Sequence, residues 1–174
     1  MFGFHKQNAI GQRGEKLFLK LYPEWKANNL AEKCKEPDFK DCYGRKLELK
    51  FDVSTRARRD SKGYQLNFFM ETISNDSKQT PGGVARAKKE GVEFYVYMFE
   101  EPFRIFVLDV KKTDKKIKEL IATDRYRKCR IKNMYYCTEG YALPITGFNS
   151  CIVKLNRLSK QQRALKRLEW SLMK

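Results

Sequence analysis

Pro37-Asp38 and Glu48-Leu49-Lys50 are the residues whose types and spacing point to chemistry. In Lys46-Leu47-Glu48-Leu49-Lys50-Phe51, apolar and charged residues alternate with the period of two expected of a half-buried strand. Glu48 and Lys50 then share one face, while Leu47, Leu49 and Phe51 turn into a core. Asp38 arrives from upstream through Lys40-Asp41-Cys42-Tyr43-Gly44, a turn able to close a hairpin. Asp38 and Glu48 offer hard oxygen ligands. Mg²⁺ takes few of these from protein and keeps its other positions for water and substrate phosphate. The Leu49 carbonyl is a further ligand at the same place, and Mn²⁺ is an acceptable substitute ion. Lys50 beside the ion would orient or help deprotonate an attacking water and neutralise charge building on phosphorus. Such a constellation belongs to a metal-dependent phosphodiesterase.

The elements that must position these groups are legible nearby. Residues 8–22 carry Ile10, Leu17, Phe18 and Leu21 at helical spacing, with Glu15 at the edge of that stripe beside Gly11 and Gly14. Each glycine costs a helix about 1 kcal/mol, which predicts close backbone approach, either to the sheet or to a phosphate chain. Residues 65–73 read as a strand, and if it lies next to the 46–51 strand then Gln65, Asn67, Phe69 and Glu71 share the active-site face. Glu71 is then an accessory metal ligand or the group that holds Lys50. The alternative is an acid paired with a nearby lysine for solubility.

Pro37-Asp38 followed by Glu48-Leu49-Lys50 resembles the PD-(D/E)XK motif of restriction-endonuclease-like nucleases. The resemblance runs over residues 8–110. The strand at 65–73, the Thr80-Pro81-Gly82-Gly83-Val84-Ala85 turn into a short helix, and Glu93-Phe94-Tyr95-Val96-Tyr97-Met98 are similar to small nucleases of phages and mobile elements. It implies a Mg²⁺-dependent DNA endonuclease that hydrolyses phosphodiester bonds by metal-activated water attack. Asp38 and Glu48 would be the metal ligands, Lys50 would act at the water, and Glu15 would complete the site from the first helix. Junction resolvases and homing endonucleases share this superfamily, so a Holliday-junction-resolvase-like or RNA-cleaving member fits the same residues. A monomer with one site would nick, and a two-fold homodimer would cut both strands. If the protein is phage-encoded, it acts in the bacterial host cytoplasm.

Charge agrees with a polyanionic partner. Thirty-seven Lys and Arg against 21 Asp and Glu give a formal net charge of +16, more than solubility requires. DNA, double-stranded or branched, is the leading partner, and binding should weaken steeply with salt. Arg56, Arg58, Arg59 and Lys62 form a cationic loop after the Glu48-Leu49-Lys50 strand, read as phosphate contacts over the metal site. Arg86, Lys88 and Lys89, just past Gly82-Gly83, form a second patch where a helix N-terminus also offers N–H groups to phosphate. Tyr135, Tyr136 and Tyr141 are either core or stacking platforms for bases. A reading in another class is a non-catalytic basic DNA- or RNA-binding module in which Glu48 and Lys50 are an exposed strand pair.

The remainder reads as architecture. Residues 102–110 form a strand paired with 93–99, residues 114–123 a helix, residues 127–156 short strands, and residues 159–173 a basic final helix capped by Ser159. One α/β domain over 1–174 is expected, a mixed central sheet flanked by helices as in a restriction-endonuclease-like core. With 41% hydrophobic residues the chain can bury a real core, which excludes a disordered polycation. It has no run of 18 apolar residues and no signal-peptide core, so no membrane role and a cytoplasmic location are expected. Cys34, Cys42, Cys129, Cys137 and Cys151 contain no CxxC pair, which argues against a zinc site and for a reducing compartment. His5 is the sole histidine, which argues against histidine-based nucleases and a Ser-His-Asp hydrolase. No phosphate loop of the Walker A kind is present, so no nucleotide cofactor is expected.

Overall fold

The first helix, α1 (Phe4–Leu21), begins four residues before the predicted start and includes His5. The computed structural model describes residues 4–27, 37–41, 43–53, 59–60, 63–64, 67–100, 103–133 and 135–155. Phe18 is the anchor of α1, fully buried and 4.9 Å ring to ring from Tyr22 and 4.8 Å from Phe39. Gly14 is where the helix crosses the sheet: a Cβ there would lie 2.5 Å from the Phe51 Cβ. Gly14→Ala should therefore destabilise. The helix-propensity gain of about 1 kcal/mol is smaller than the roughly 1–3 kcal/mol cost of overpacking against an atom fixed to the backbone. Urea unfolding of the variant checks the sign.

Strands β1 (Lys26–Ala27), β2 (Phe39–Lys40) and β3 (Lys46–Asp52) follow in antiparallel order. The β2–β3 connection is the predicted hairpin. Asp41 shapes it, its carboxylate accepting from the Tyr43 and Arg45 amides at 3.0 and 2.9 Å and pairing with the Arg45 guanidinium at 2.6 Å. Gly44 supplies the left-handed turn residue, with φ 76°. A two-stranded ribbon, β4 (Arg59–Asp60) and β5 (Gly63–Tyr64), precedes the long β6 (Asn67–Asn75), which is followed by β7 (Thr80–Pro81) and α2 (Gly83–Lys89). Then come β8 (Phe94–Phe99), β9 (Arg104–Asp109), α3 (Val110–Ala122), β10 (Lys128–Lys132), β11 (Cys137–Pro144) and a 3₁₀ helix (Ile145–Cys151).

The main sheet has the order β1-β2-β3-β8-β9, with β3 and β8 parallel and the other pairs antiparallel. A second sheet has the order β10-β11-β6-β7. The architecture is therefore mixed α/β, as expected, but the 65–73 strand is not the neighbour of β3. That place goes to β8, buried from Tyr95 through Phe99 on both faces, a pattern that only a central strand accommodates. α2 lies in the crossover between these two parallel strands.

One face of the main sheet packs under α1 through Phe18, Phe39, Leu47, Val96 and Met98. The opposite face meets β6, α2 and α3 through Tyr95, Tyr97, Phe99, Phe68, Val84 and Ile117. β6 approaches that face along one edge. The Phe69 amide donates to the Tyr97 hydroxyl at 3.1 Å, while Phe68 and Met70 fall into the core on one side and Glu71 reaches Lys50 on the other. The two sheets thus form a corner rather than a single layer.

Two further boundaries differ from the sequence expectation. α3 starts at Val110 because Asp109 caps it, accepting from the Lys112 amide at 2.8 Å. The strands expected around Ile131 and over 141–145 are β10 and β11, but 145–151 wind as a 3₁₀ helix and, of the strand expected over 151–155, Ile152 makes only an isolated bridge to Leu108. The predicted final helix at 159–173 lies outside the described residues. Among the described residues no helix is long and apolar enough to cross a membrane.

Candidate active site

The β2–β3 register pairs Lys40 with Lys46 and Phe39 with Leu47, so one further step sets Asp38 opposite Glu48 on the same face. Asp38 stands just beyond the end of β2, and its carboxylate accepts from the Leu49 amide at 2.8 Å. In a strand the N–H and C=O of one residue point to the same edge. The Leu49 carbonyl therefore faces the Asp38 edge as well. Two carboxylates and a main-chain oxygen are brought to one place by the length of a hairpin.

Each polar side chain on this face of β3 meets a different element. Glu48 pairs with Arg86 of α2, Lys50 Nζ lies 2.5 Å from Glu71 Oε1 of β6, and Asp52 accepts from the Tyr97 hydroxyl of β8 at 2.9 Å. Buried Tyr95 lies among these acids, its phenol pushed up by burial and by the charges of Glu71 and Glu48. Glu48 itself is only 12% exposed. Burial, then repulsion from Asp38, raises its carboxyl to about 7, and Arg86 offsets only part of that rise. Arg86 gains more from Glu48 and Glu90 than it loses by burial, so the guanidinium stays charged.

That shift has a measurable consequence. Unfolded, Glu48 titrates near 4.5; folded, it titrates near 7. Between these values the folded chain binds more protons, so stability falls as pH rises from about 4.5 to about 7. The component is on the order of 1–3 kcal/mol. Urea unfolding of metal-free protein at pH 5 and pH 8 should show a loss in wild type that is reduced by that amount in Glu48→Gln. Equal pH dependence in the two would refute it.

The other residues singled out by sequence fall in several places. Glu71 is on β6 in the second sheet and still reaches Lys50, a contact that fits both the predicted holding of the lysine and the alternative of a simple acid–lysine pair. Glu15 is on α1, which packs on the Leu47 face of β3, opposite to Glu48 and Lys50. Among the described residues no three His, Cys, Asp or Glu side chains converge as a metal cage, so Glu15, Asp38, Glu48 and Glu71 do not form one ligand set. The helix and the acids approach the sheet from different sides.

Arg86 and Lys88, read as phosphate contacts, are turned to internal acids: Arg86 to Glu48, and Lys88 to the buried Asp114 of α3 at 2.6 Å. Lys89 is exposed. The Gly82-Gly83 start of α2 is packed on β6 rather than open to a phosphate, since a Cβ on Gly82 would lie 2.9 Å from the Ser74 amide. Arg56, Arg58 and Lys62 lie outside the described residues, and Arg59 stands in β4. Cys34 and Cys42 also lie outside; Cys129, Cys137 and Cys151 carry free thiols. Tyr135 is 82% exposed and Tyr141 packs on the core.

Sequence reasoning missed Asp52, Tyr97 and the pairing of Arg86 with Glu48. Asp52 continues the alternation of Glu48 and Lys50, which was a usable signal; the other two depend on how elements cross. A cleft of about 740 Å³ opens beside Lys50, Asp52 and Glu71 in the corner between the sheets.

Asp38, Glu48 and the Leu49 carbonyl are all hard oxygen donors, and the repulsion from Asp38, which after burial raises Glu48, is what a cation relieves. The donor set fits a divalent ion of the Mg²⁺ type once Arg86 releases Glu48. No protein-family model, curated protein or solved structure matches the chain.

Proposed function

We propose that the protein is a Mg²⁺-dependent DNA endonuclease of the restriction-endonuclease-like kind. The observation that carries this reading is the juxtaposition of Asp38, held on the Leu49 amide at 2.8 Å, with Glu48 and Lys50 on the same strand. Asp38, Glu48 and the Leu49 carbonyl would hold the ion, which supplies a Lewis acid and a template for phosphate. Lys50, anchored by Glu71, directs its ammonium at the reacting phosphate and stabilises the charge that develops there. Arg86 keeps Glu48 occupied until a cation arrives, which limits repulsion of the substrate by a bare carboxylate pair. A net charge of +16 supports a polyanionic substrate.

A second reading is favoured by one specific observation. Glu48 with Arg86 and Lys50 with Glu71 already form internal ion pairs. A basic nucleic-acid-binding module that uses these pairs only to join its elements requires no metal. Supercoiled plasmid incubated with wild type or Lys50→Ala, with Mg²⁺ or EDTA, tests the two. Nicked or linear plasmid, or a cut branched junction, formed only with Mg²⁺ and intact Lys50 is the expected result. Metal-independent binding without product, on plasmid and on branched junctions alike, would favour the module.

A further inference from the structure

The cleft in the corner between the sheets runs from the Lys50–Glu71 pair, along the Phe69 and Asn67 side of β6, to Tyr136 and Arg130 of the β10–β11 hairpin. Glu71, Phe69 and Asn67 alternate on one face of β6, so the line advances about 6.8 Å per step. That step is on the scale of one nucleotide in an extended strand. Aromatic surface comes from Phe69 and the half-buried Tyr136, and the side-chain amide of Asn67, which also lines the cleft, can read a base edge in two contacts. Small residues keep the space open, most tellingly Gly11.

Gly11 sits inside α1, where glycine costs about 1 kcal/mol. Unlike Gly14, it packs against nothing: a Cβ there would meet no atom within 4 Å. It lines the cleft, so a larger side chain there would take up space that an occupant could use. A volume of about 740 Å³ falls within the 300–1,000 Å³ of ordinary ligand pockets. Such a volume is on the scale of one or two unpaired nucleotides.

We infer that this cleft receives an unpaired DNA strand next to the bond that is cut, making the substrate class single-stranded or branched DNA rather than continuous duplex. The inference rests on the nuclease reading for its reactive end at Lys50. The aromatic faces and the cleft shape carry the rest. Stacking on aromatic side chains is tolerant of base identity, and Asn67 adds a modest preference.

Fluorescence anisotropy in EDTA, which prevents cleavage, tests it with a labelled oligonucleotide presented single-stranded, as a duplex, and as the same sequence in RNA. Wild type should bind the single strand at least about tenfold more tightly than the duplex at equal salt. Tyr136→Ala should lose about tenfold of single-strand affinity while duplex affinity stays unchanged. Gly11→Leu should do the same by filling the cleft, and because leucine favours helix it should raise the unfolding midpoint, which separates blockage from misfolding. Tyr136→Phe should restore binding. Equal affinity for single strand and duplex, tighter binding of the RNA, or no effect of both variants would overturn the inference. Single-strand preference without Mg²⁺-dependent cleavage would overturn only the nuclease reading. Cleavage of intact duplex unaffected by Gly11→Leu would overturn only this one.

Discussion

Glu48→Ala is expected to lower Mg²⁺-dependent plasmid cleavage by on the order of 10³-fold or more while DNA binding persists or tightens. The direction of both effects follows from one residue. On the nuclease reading, removing Glu48 would take away a metal ligand that the Asp38 carboxylate alone would not replace. It also releases the half-exposed Arg86 guanidinium from its nearer acid, leaving only Glu90 at 3.8 Å, so more of its charge is open to phosphate. Asp38→Ala should match Glu48→Ala in cleavage but free no arginine, so its gain in binding should be smaller. Arg86→Ala is the informative companion. If Glu48 is a metal ligand, the variant should keep cleavage and need less Mg²⁺, because a competing cation has gone. If the pair is purely structural, the variant should lose stability with no change in metal dependence. Gel quantification of nicked product across a Mg²⁺ titration, with anisotropy of duplex binding in EDTA, reads all three variants. Cleavage by Glu48→Ala within tenfold of wild type would sink the assignment.

Phe68→Ala is expected to cost about 3–5 kcal/mol of folding stability, the largest effect of a single core substitution here. Phe68 is fully buried and joins both sheets, with ring centroids 4.9 Å from Tyr97, 6.0 Å from Phe99, 5.3 Å from Phe106 and 5.4 Å from Phe148. Those partners come from β8, β9 and the 3₁₀ helix, so their packing cannot close over the cavity without shifting a sheet. Since net stabilities are about 5–15 kcal/mol, the loss is a large fraction of the whole. The consequence reaches the site: β6 carries Glu71, so loosening the corner should also lengthen the Lys50 contact. Guanidinium unfolding should show a lower midpoint. Phe68→Leu, which keeps most of the volume, should recover much of it. A cost below 1 kcal/mol would mean that Phe68 does not hold the corner.

Several elements were legible because their signals are local. The alternation through Lys46-Leu47-Glu48-Leu49-Lys50-Phe51 marks β3, and Asp41 with Gly44 marks its turn. The chain segments for β8, β9 and α1 announce themselves by period and composition. The start of α3 was misplaced because Val110 reads equally as the end of a strand, and only the Asp109 cap decides it. The 3₁₀ helix at 145–151 has no periodic signature short enough to read. Assigning residues 65–73 to the place beside β3 failed for a different reason. Strand identity is a local property, whereas sheet membership follows from which faces must be buried.

The candidate site divides the same way. Asp38 and Glu48 lie at equal distances along the chain from their turn, so forming the hairpin suffices to oppose them, and no other part of the molecule is needed. That much the amino-acid sequence determined by itself, together with the alternation that puts Glu48, Lys50 and Asp52 on one face. Tertiary structure alone decided what those side chains meet. Glu48 is joined to Arg86 across 38 residues and Lys50 to Glu71 across 21, between elements that share no strand pairing. Their approach is set by how large side chains such as Phe68 and Tyr97 pack two sheets into a corner. Packing of this kind depends on three-dimensional shape, which no spacing along the chain encodes.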